Sequence, residues 1–106
     1  MKRSEVKYLK VRNDGAPIKR RAYVKAEGLV SDNFGIVKQG KLYLIIHLKS
    51  GHSFKFLHQD KAAVARGYVE KLENLGLNWD AESREKLAEV NEMTLEQIFE
   101  KVVTVV

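Results

Sequence analysis

Residues 33–58 read NFGIVKQGKLYLIIHLKSGHSFKFLH and carry the clearest structural pattern in the chain. Apolar and polar residues mostly alternate along this segment, which is typical of β-strands with two different faces. Two turn signals, KQG at 38–40 and KSG at 49–51, lie eleven residues apart. This spacing predicts an antiparallel meander of three short strands.

The lengths of the two turns predict which side chains share a face of the meander. A two-residue turn at Ser50-Gly51 mixes polar and apolar residues on both faces, whereas three-residue loops place Ile36 opposite Leu42 and Ile46 opposite Phe54. Both turns then select the same apolar face. The expected core face is Phe34, Ile36, Leu42, Leu44, Ile46, Leu48, Phe54 and Phe56. The expected opposite face is Val37, Lys41, Tyr43, Ile45, His47, Lys49, Ser53, Lys55 and Leu57.

Two further strands are predicted upstream of the meander, at 6–11 and 18–26, with a turn at 13–17 between them. After residue 60 the apolar residues recur at intervals of three and four, which predicts helices over 60–75, 80–91 and 94–104. Asp60, Asp80 and Thr94 are the expected N-caps, and Thr94-Leu95-Glu96-Gln97 is a capping box. We therefore expect one α+β domain over 1–106, in which three helices pack on one face of an antiparallel sheet of about five strands.

Composition excludes several classes of protein. The chain has 106 residues and no cysteine, so it contains neither disulfides nor cysteine-ligated metals. No apolar run approaches the roughly 18 residues of a membrane helix, and the charged start is unlike a secretory signal, so we expect a cytoplasmic protein without a membrane partner. The net charge of +5 is unevenly distributed: residues 1–25 hold nine Lys or Arg and two acidic residues, whereas residues 60–106 hold six and ten.

Few residues in the sequence are candidates for catalysis or for metal binding. The three histidines, His47, His52 and His58, do not converge on one face in the expected register, and no carboxylate is interleaved with them. Gly35, Gly40 and Gly51 are expected to serve hairpins, and the sequence has no glycine-rich phosphate-binding loop. We therefore expect no enzyme activity, no metal site and no cofactor.

The expected open face of the sheet suggests nucleic-acid binding. Lysine and arginine would contact phosphates there, and tyrosine would stack on unpaired bases. The expected DNA- or RNA-binding residues are Lys19, Arg21, Tyr23, Lys25, Tyr43, Lys49 and Lys55. Open sheet faces are also commonly polar without any such role.

Protein–protein interaction is the alternative. Val37, Ile45 and Leu57 lie on the same expected open face, where an apolar patch would need covering. A homodimer would bury this patch, and the basic sheet of one copy could also meet the acidic helices of another.

Overall fold

The alternating N-terminal half folds into one antiparallel sheet. The computed structural model of the chain describes residues 1–10, 22–54 and 60–104. The strands are β1 (Lys2–Leu9), β2 (Tyr23–Val30), β3 (Phe34–Gln39) and β4 (Leu42–His47), which lie side by side in that order. The α+β class and the antiparallel sheet are confirmed, with four strands among the described residues where about five were predicted.

The third strand of the predicted meander is described only at its beginning. Ile46 and Ser53 form an isolated bridge, and the amide of Phe54 donates to the carbonyl of Ile45 at 3.0 Å. Residues 55–59 lie outside the described part of the chain.

The register between β3 and β4 differs from the predicted one. Ile36 pairs with Ile45 rather than with Leu42, because a two-residue turn, Gly40-Lys41, joins the strands. Gly40 has a φ of 60°, which the first central position of a type II′ turn requires. The error of three residues is odd, so β4 turns its other face toward Phe34 and Ile36, and the predicted core face is wrong for β4.

Both faces of β4 are nevertheless buried. Ile45 faces the helices in a cluster with Phe34 and Ile36, which we call the helix-side cluster. Leu44 and Ile46 point to the opposite side of the sheet, where they form a second cluster. The buried members of this inner cluster are Val6, Tyr8, Val37, Leu44 and Ile46.

The sheet curls around the inner cluster instead of lying flat. A Cβ atom placed on Gly35 of β3 would lie 3.2 Å from Val6 of β1, although β2 separates these strands. The hydroxyl of Tyr8 also lies 3.3 Å from Oε1 of Gln39, and the amide of Leu9 donates to the carbonyl of Gly51 at 2.8 Å. Curling therefore brings β1 back toward β3 and the segment after β4, and it encloses the apolar side chains of β1.

The acidic half forms three helices against the helix-side cluster: α1 (Ala62–Glu73), α2 (Arg84–Asn91) and α3 (Leu95–Thr104). Phe34 is fully buried there, with its ring centroid 4.8 Å from that of Trp79 in an edge-on arrangement. Phe54 and Phe99 make a similar edge-on contact at 5.2 Å. Aromatic side chains thus join the sheet to the loop before α2 and to α3.

The helix caps agree with the sequence in part. The capping box of α3 is confirmed, since the amide of Thr94 donates to Gln97 Oε1 at 2.9 Å and the amide of Gln97 donates to Thr94 Oγ1 at 3.1 Å. Asp60 and Asp80 are not N-caps: α1 begins after Lys61 without a side-chain cap, and Ser83 caps α2. Among the described residues, no helix is long and apolar enough to cross a membrane.

Candidate nucleic-acid interface

The β1–β2 hairpin presents one side to solvent because its other side lines the inner cluster. The continuous register from Lys2 opposite Val30 to Leu9 opposite Tyr23 fixes which residues share each side. We call the solvent side the outer hairpin face. Its residues are Arg3, Glu5, Lys7 and Leu9 of β1 and Tyr23, Lys25, Glu27 and Leu29 of β2.

Charges on the outer hairpin face are paired along diagonals. Directly opposite positions carry like charges, with Glu5 facing Glu27 and Lys7 facing Lys25. The attractive contacts run diagonally: Arg3 Nε lies 3.5 Å from a carboxylate oxygen of Glu27, and Lys25 Nζ lies 3.7 Å from one of Glu5. The diagonal pairs offset the repulsion between opposite charges, although each exposed pair contributes only about 0–1 kcal/mol.

Tyr23 lies diagonal to Lys7 across the hairpin, so the third diagonal contact joins a lysine to an aromatic ring. Lys7 Nζ lies 5.0 Å from the centroid of the ring, within range of a cation–π contact. The side chain is 54% exposed, yet its hydroxyl donates to the carbonyl of Ser50 at 3.2 Å. The ring is therefore held at its tip while much of its surface remains open to solvent.

Gly51 makes room for the Tyr23 ring. Its φ is +74°, and a Cβ atom at this position would lie 2.7 Å from Cε1 of Tyr23. Any larger residue would be strained at this φ and would also push the ring away. The loop after β4 therefore helps to determine the position of the Tyr23 ring.

Further basic residues are attached at the Tyr23 end of the hairpin. The amide of Lys10 donates to the carbonyl of Ala22 at 3.0 Å, which closes the hairpin just beyond the pair formed by Leu9 and Tyr23. The chain between these two closing residues contains four basic residues and one acidic residue. Two of the basic residues, Lys19 and Arg21, belong to the predicted interface but lie outside the described residues, as does Lys55.

The structure brings together some of the predicted interface residues and separates others. Tyr23 and Lys25 share the outer hairpin face, and Lys49 immediately precedes the residue that holds the Tyr23 hydroxyl. The ammonium of Lys49 pairs with the carboxylate of Asp80. Tyr43, by contrast, is half-buried against the helix-side cluster, on the part of the sheet that the helices cover.

Lys7 is a candidate interface residue that was not among those predicted from the sequence. It lies over Tyr23 only because β1 pairs with β2, and the order of the first two strands was not evident from the sequence. The signal was nevertheless present: Arg3, Glu5 and Lys7 alternate with Val6 and Tyr8, as expected for a strand with one apolar side.

The residues of the alternative interface are placed differently. Val37 is 1% exposed in the inner cluster, and Ile45 is fully buried on the other side of the sheet. These two residues therefore do not form an exposed apolar patch. Leu57 lies outside the described residues.

His47 is buried in a polar contact with the loop before α2. Its Nε2 lies 2.7 Å from the carbonyl oxygen of Trp79, and its Nδ1 lies 2.8 Å from Oγ of Ser50. Burial lowers the pKa of His47, the positive charge of Lys49 acts in the same direction, and the hydrogen bond to Trp79 opposes them. Over the described part of the chain, no three His, Asp or Glu side chains cluster in a way that could hold a metal ion.

Comparison with known proteins gives no match to a protein-family model, to a curated protein or to a solved structure.

Proposed function

We propose that the chain is a cytoplasmic, non-enzymatic protein that binds single-stranded DNA or RNA on the outer hairpin face, where Tyr23 stacks on an unpaired base. The observation that carries the proposal is the Tyr23 ring, which is 54% exposed, fixed at its hydroxyl and next to Lys7. Stacking on an aromatic ring is available to every base, because every base has a π-face. Bases inside a duplex are already stacked on each other, so this mode favours single strands.

Lys7 supports both stacking and phosphate binding. Its exposed contact with the Tyr23 ring is worth about 0.5–1 kcal/mol, whereas a stacked base contributes about 1–3 kcal/mol. An incoming base therefore displaces the ammonium group from the ring. Because the lysine stem is flexible, the released ammonium can contact the phosphate next to the stacked base.

Other lysines and arginines extend the phosphate-binding surface. Lys25 lies on the same face as Tyr23, and its pairing with Glu5 at 3.7 Å is exposed and readily exchanged for a phosphate. Lys19 and Arg21 remain part of the proposal because the chain that carries them joins the hairpin next to Tyr23. Tyr43 no longer belongs to it as a stacking residue, since its ring packs against the helix-side cluster.

A fluorescence anisotropy titration tests the proposal with labelled oligo(dT), oligo(U) and a DNA duplex at two salt concentrations. We expect both single strands to bind more tightly than the duplex, with affinity that falls as salt rises. Tyr23→Ala should weaken single-strand binding roughly tenfold, and Tyr23→Phe should retain most of it because the ring remains.

The helical half offers a matched control for Lys7. Lys71 Nζ lies 5.9 Å from the ring centroid of Tyr68 on α1, so it repeats the cation–π contact in the acidic half. Lys7→Ala should reduce affinity and the salt dependence, whereas Lys71→Ala should change neither. Absence of binding at low salt, or equal effects of the two lysine variants, would refute the proposal.

A further inference from the structure

Within the described part of the chain, the edge of β1 that faces away from β2 carries backbone groups without a hydrogen-bond partner before Leu9. The amide of Lys10 points across the hairpin to Ala22, whereas the amide of Leu9 points away from it to Gly51. Successive residues of a strand direct their N–H and C=O groups to alternate edges. The backbone groups of Arg3, Glu5 and Lys7 therefore point to the outer edge, as those of Leu9 do. These three residues lie opposite β2 on their other side, but among the described residues none bonds to their outward-pointing N–H and C=O groups.

We infer that a second copy of this chain pairs with this edge, β1 against β1, with Arg3 opposite Glu5 of the second copy. A two-fold axis relates two identical strands in the antiparallel direction, and each contact then occurs twice. The interface is distinct from the predicted patch of Val37, Ile45 and Leu57. It also does not depend on nucleic-acid binding.

The charge sequence of β1 selects one register. Only residues whose backbone groups point outward can exchange hydrogen bonds across the edge, so the choice is limited to pairings among Arg3, Glu5, Lys7 and their symmetry copies. Registers that place Arg3 opposite Arg3, Glu5 opposite Glu5, or Lys7 opposite Lys7 oppose like charges. A register with Glu5 opposite Lys7 would set Arg3 against Leu9, whose amide is already bonded to Gly51.

The remaining register is complementary in charge and in size. It sets Arg3 opposite Glu5 twice, and Ser4 lies opposite Ser4 at the two-fold axis, where a small side chain permits close approach. The side chains of Arg3 and Glu5 are 74% and 68% exposed, so both can contact a second copy across the edge in addition to their partners in the hairpin. Their diagonal contacts to Glu27 and Lys25 then extend into rows of alternating charge over both copies.

Such an interface is small and electrostatic. Each pair of Arg3 with Glu5 of the second copy exchanges two backbone hydrogen bonds, and the exposed ion pairs add little at high salt. We therefore expect a reversible dimer whose population rises with concentration and falls with salt. The two hairpins would form one continuous sheet with a shared outer face.

Sedimentation velocity over a concentration series tests the dimer. Arg3→Glu and Glu5→Arg should each weaken self-association roughly tenfold, because each variant opposes like charges at both symmetric contacts. An equimolar mixture of the two variants should associate again, since every contact is then between opposite charges. Glu27→Arg is the control: it creates repulsion with Arg3 inside the hairpin but leaves the edge unchanged, so self-association should persist.

Amide hydrogen exchange gives a readout at the edge itself. Protection of the amides of Arg3 and Glu5 should rise with protein concentration, whereas the inward-pointing amide of Ser4 should be protected throughout. A wild-type monomer at every soluble concentration would overturn the inference. So would failure of the mixed variants to associate, or protection of Arg3 and Glu5 that does not change with concentration.

Discussion

The Nε2 atom of His47 lies 2.7 Å from the carbonyl oxygen of Trp79, and this contact ties the end of β4 to the loop that leads into α2. A carbonyl oxygen only accepts, so Nε2 carries the proton and Nδ1 of the neutral ring accepts from the hydroxyl of Ser50 at 2.8 Å. The side chain of His47 is 1% exposed. One neutral, buried imidazole therefore links the strand half of the chain to the helical half.

The buried His47 predicts a loss of stability in mild acid. Burial lowers the pKa of His47 in the folded chain below its ordinary value of 6.5, so the unfolded chain binds more protons as the pH falls through that value. The free energy of unfolding should therefore decrease below about pH 6.5. Urea denaturation followed by Trp79 fluorescence between pH 5 and 8 measures this change.

Substitution separates His47 from the other histidines. His47→Gln keeps a donor for the Trp79 carbonyl but does not titrate, so its stability should vary less with pH over this range. His52→Gln is the comparison variant, because it removes another histidine and leaves the contact between His47 and Trp79 in place. Equal pH dependence of stability in the wild type and in His47→Gln would show that His47 is not the cause of the loss of stability in mild acid.

Glu73 is expected to make a second pH-dependent contribution to the free energy of unfolding, at lower pH than His47. Its carboxylate accepts from the hydroxyl of Ser31 at 2.5 Å and from the amide and side chain of Asn33 at 2.9 and 2.6 Å. Burial raises the pKa of Glu73, but these hydrogen bonds outweigh burial and lower it overall, so its stabilisation is lost as the pH falls below about 4.5.

A matched pair of variants on α1 measures the contribution of Glu73. Glu73→Gln replaces one accepting oxygen with a donor and should reduce the free energy of unfolding by about 1–3 kcal/mol at neutral pH. Glu70→Gln changes an exposed carboxylate one turn away and should have an effect within about 0.5 kcal/mol. Urea midpoints that shift equally for the two variants would argue against a stabilising role for the hydrogen bonds that Glu73 accepts.

Local signals in the sequence were sufficient for some elements but not for β4. The capping box at Thr94 depends on residues three apart in one turn, and it forms as predicted. The faces of β4 depend on its partners, and residues 42–48 are almost continuously apolar because both sides of the strand are buried. Alternation therefore could not assign its faces.

The two predicted turns also could not check each other. The register of β4 is wrong by three residues against β3 and by one residue against the following segment, where Ile46 pairs with Ser53 instead of Phe54. Both errors are odd, so each reverses β4 and the two turns agree on the same wrong face. The same error affected the predicted interface. Tyr43 was expected on the open face of the sheet but lies on the side that the helices cover, whereas Tyr23 is exposed as expected.

The N-cap of α2 gives a prediction that distinguishes the observed cap from the expected one. Oγ of Ser83 accepts from the amide of Lys86 at 3.1 Å, whereas the carboxylate of Asp80 pairs with Lys49 on the surface. Ser83→Ala should reduce the free energy of unfolding by about 1 kcal/mol, and Asp80→Ala should change it less. Thermal and urea denaturation of both variants test this order, and a larger loss for Asp80→Ala would contradict it.

The positive φ angles of Gly51 and Gly76 provide the last prediction. The two residues have φ of 74° and 72°, so alanine is strained by about 1–2 kcal/mol at either position. At Gly76 a Cβ atom meets nothing within 4 Å, but at Gly51 it would lie 2.7 Å from Cε1 of Tyr23. Gly51→Ala should therefore destabilise the chain more than Gly76→Ala, because only Gly51→Ala also displaces an aromatic ring. Urea denaturation checks the difference in stability, and the NMR signals of the Tyr23 ring should shift in Gly51→Ala alone. Equal losses of stability in the two variants, with unchanged NMR signals of the Tyr23 ring, would mean that Gly51 does not determine the position of that ring.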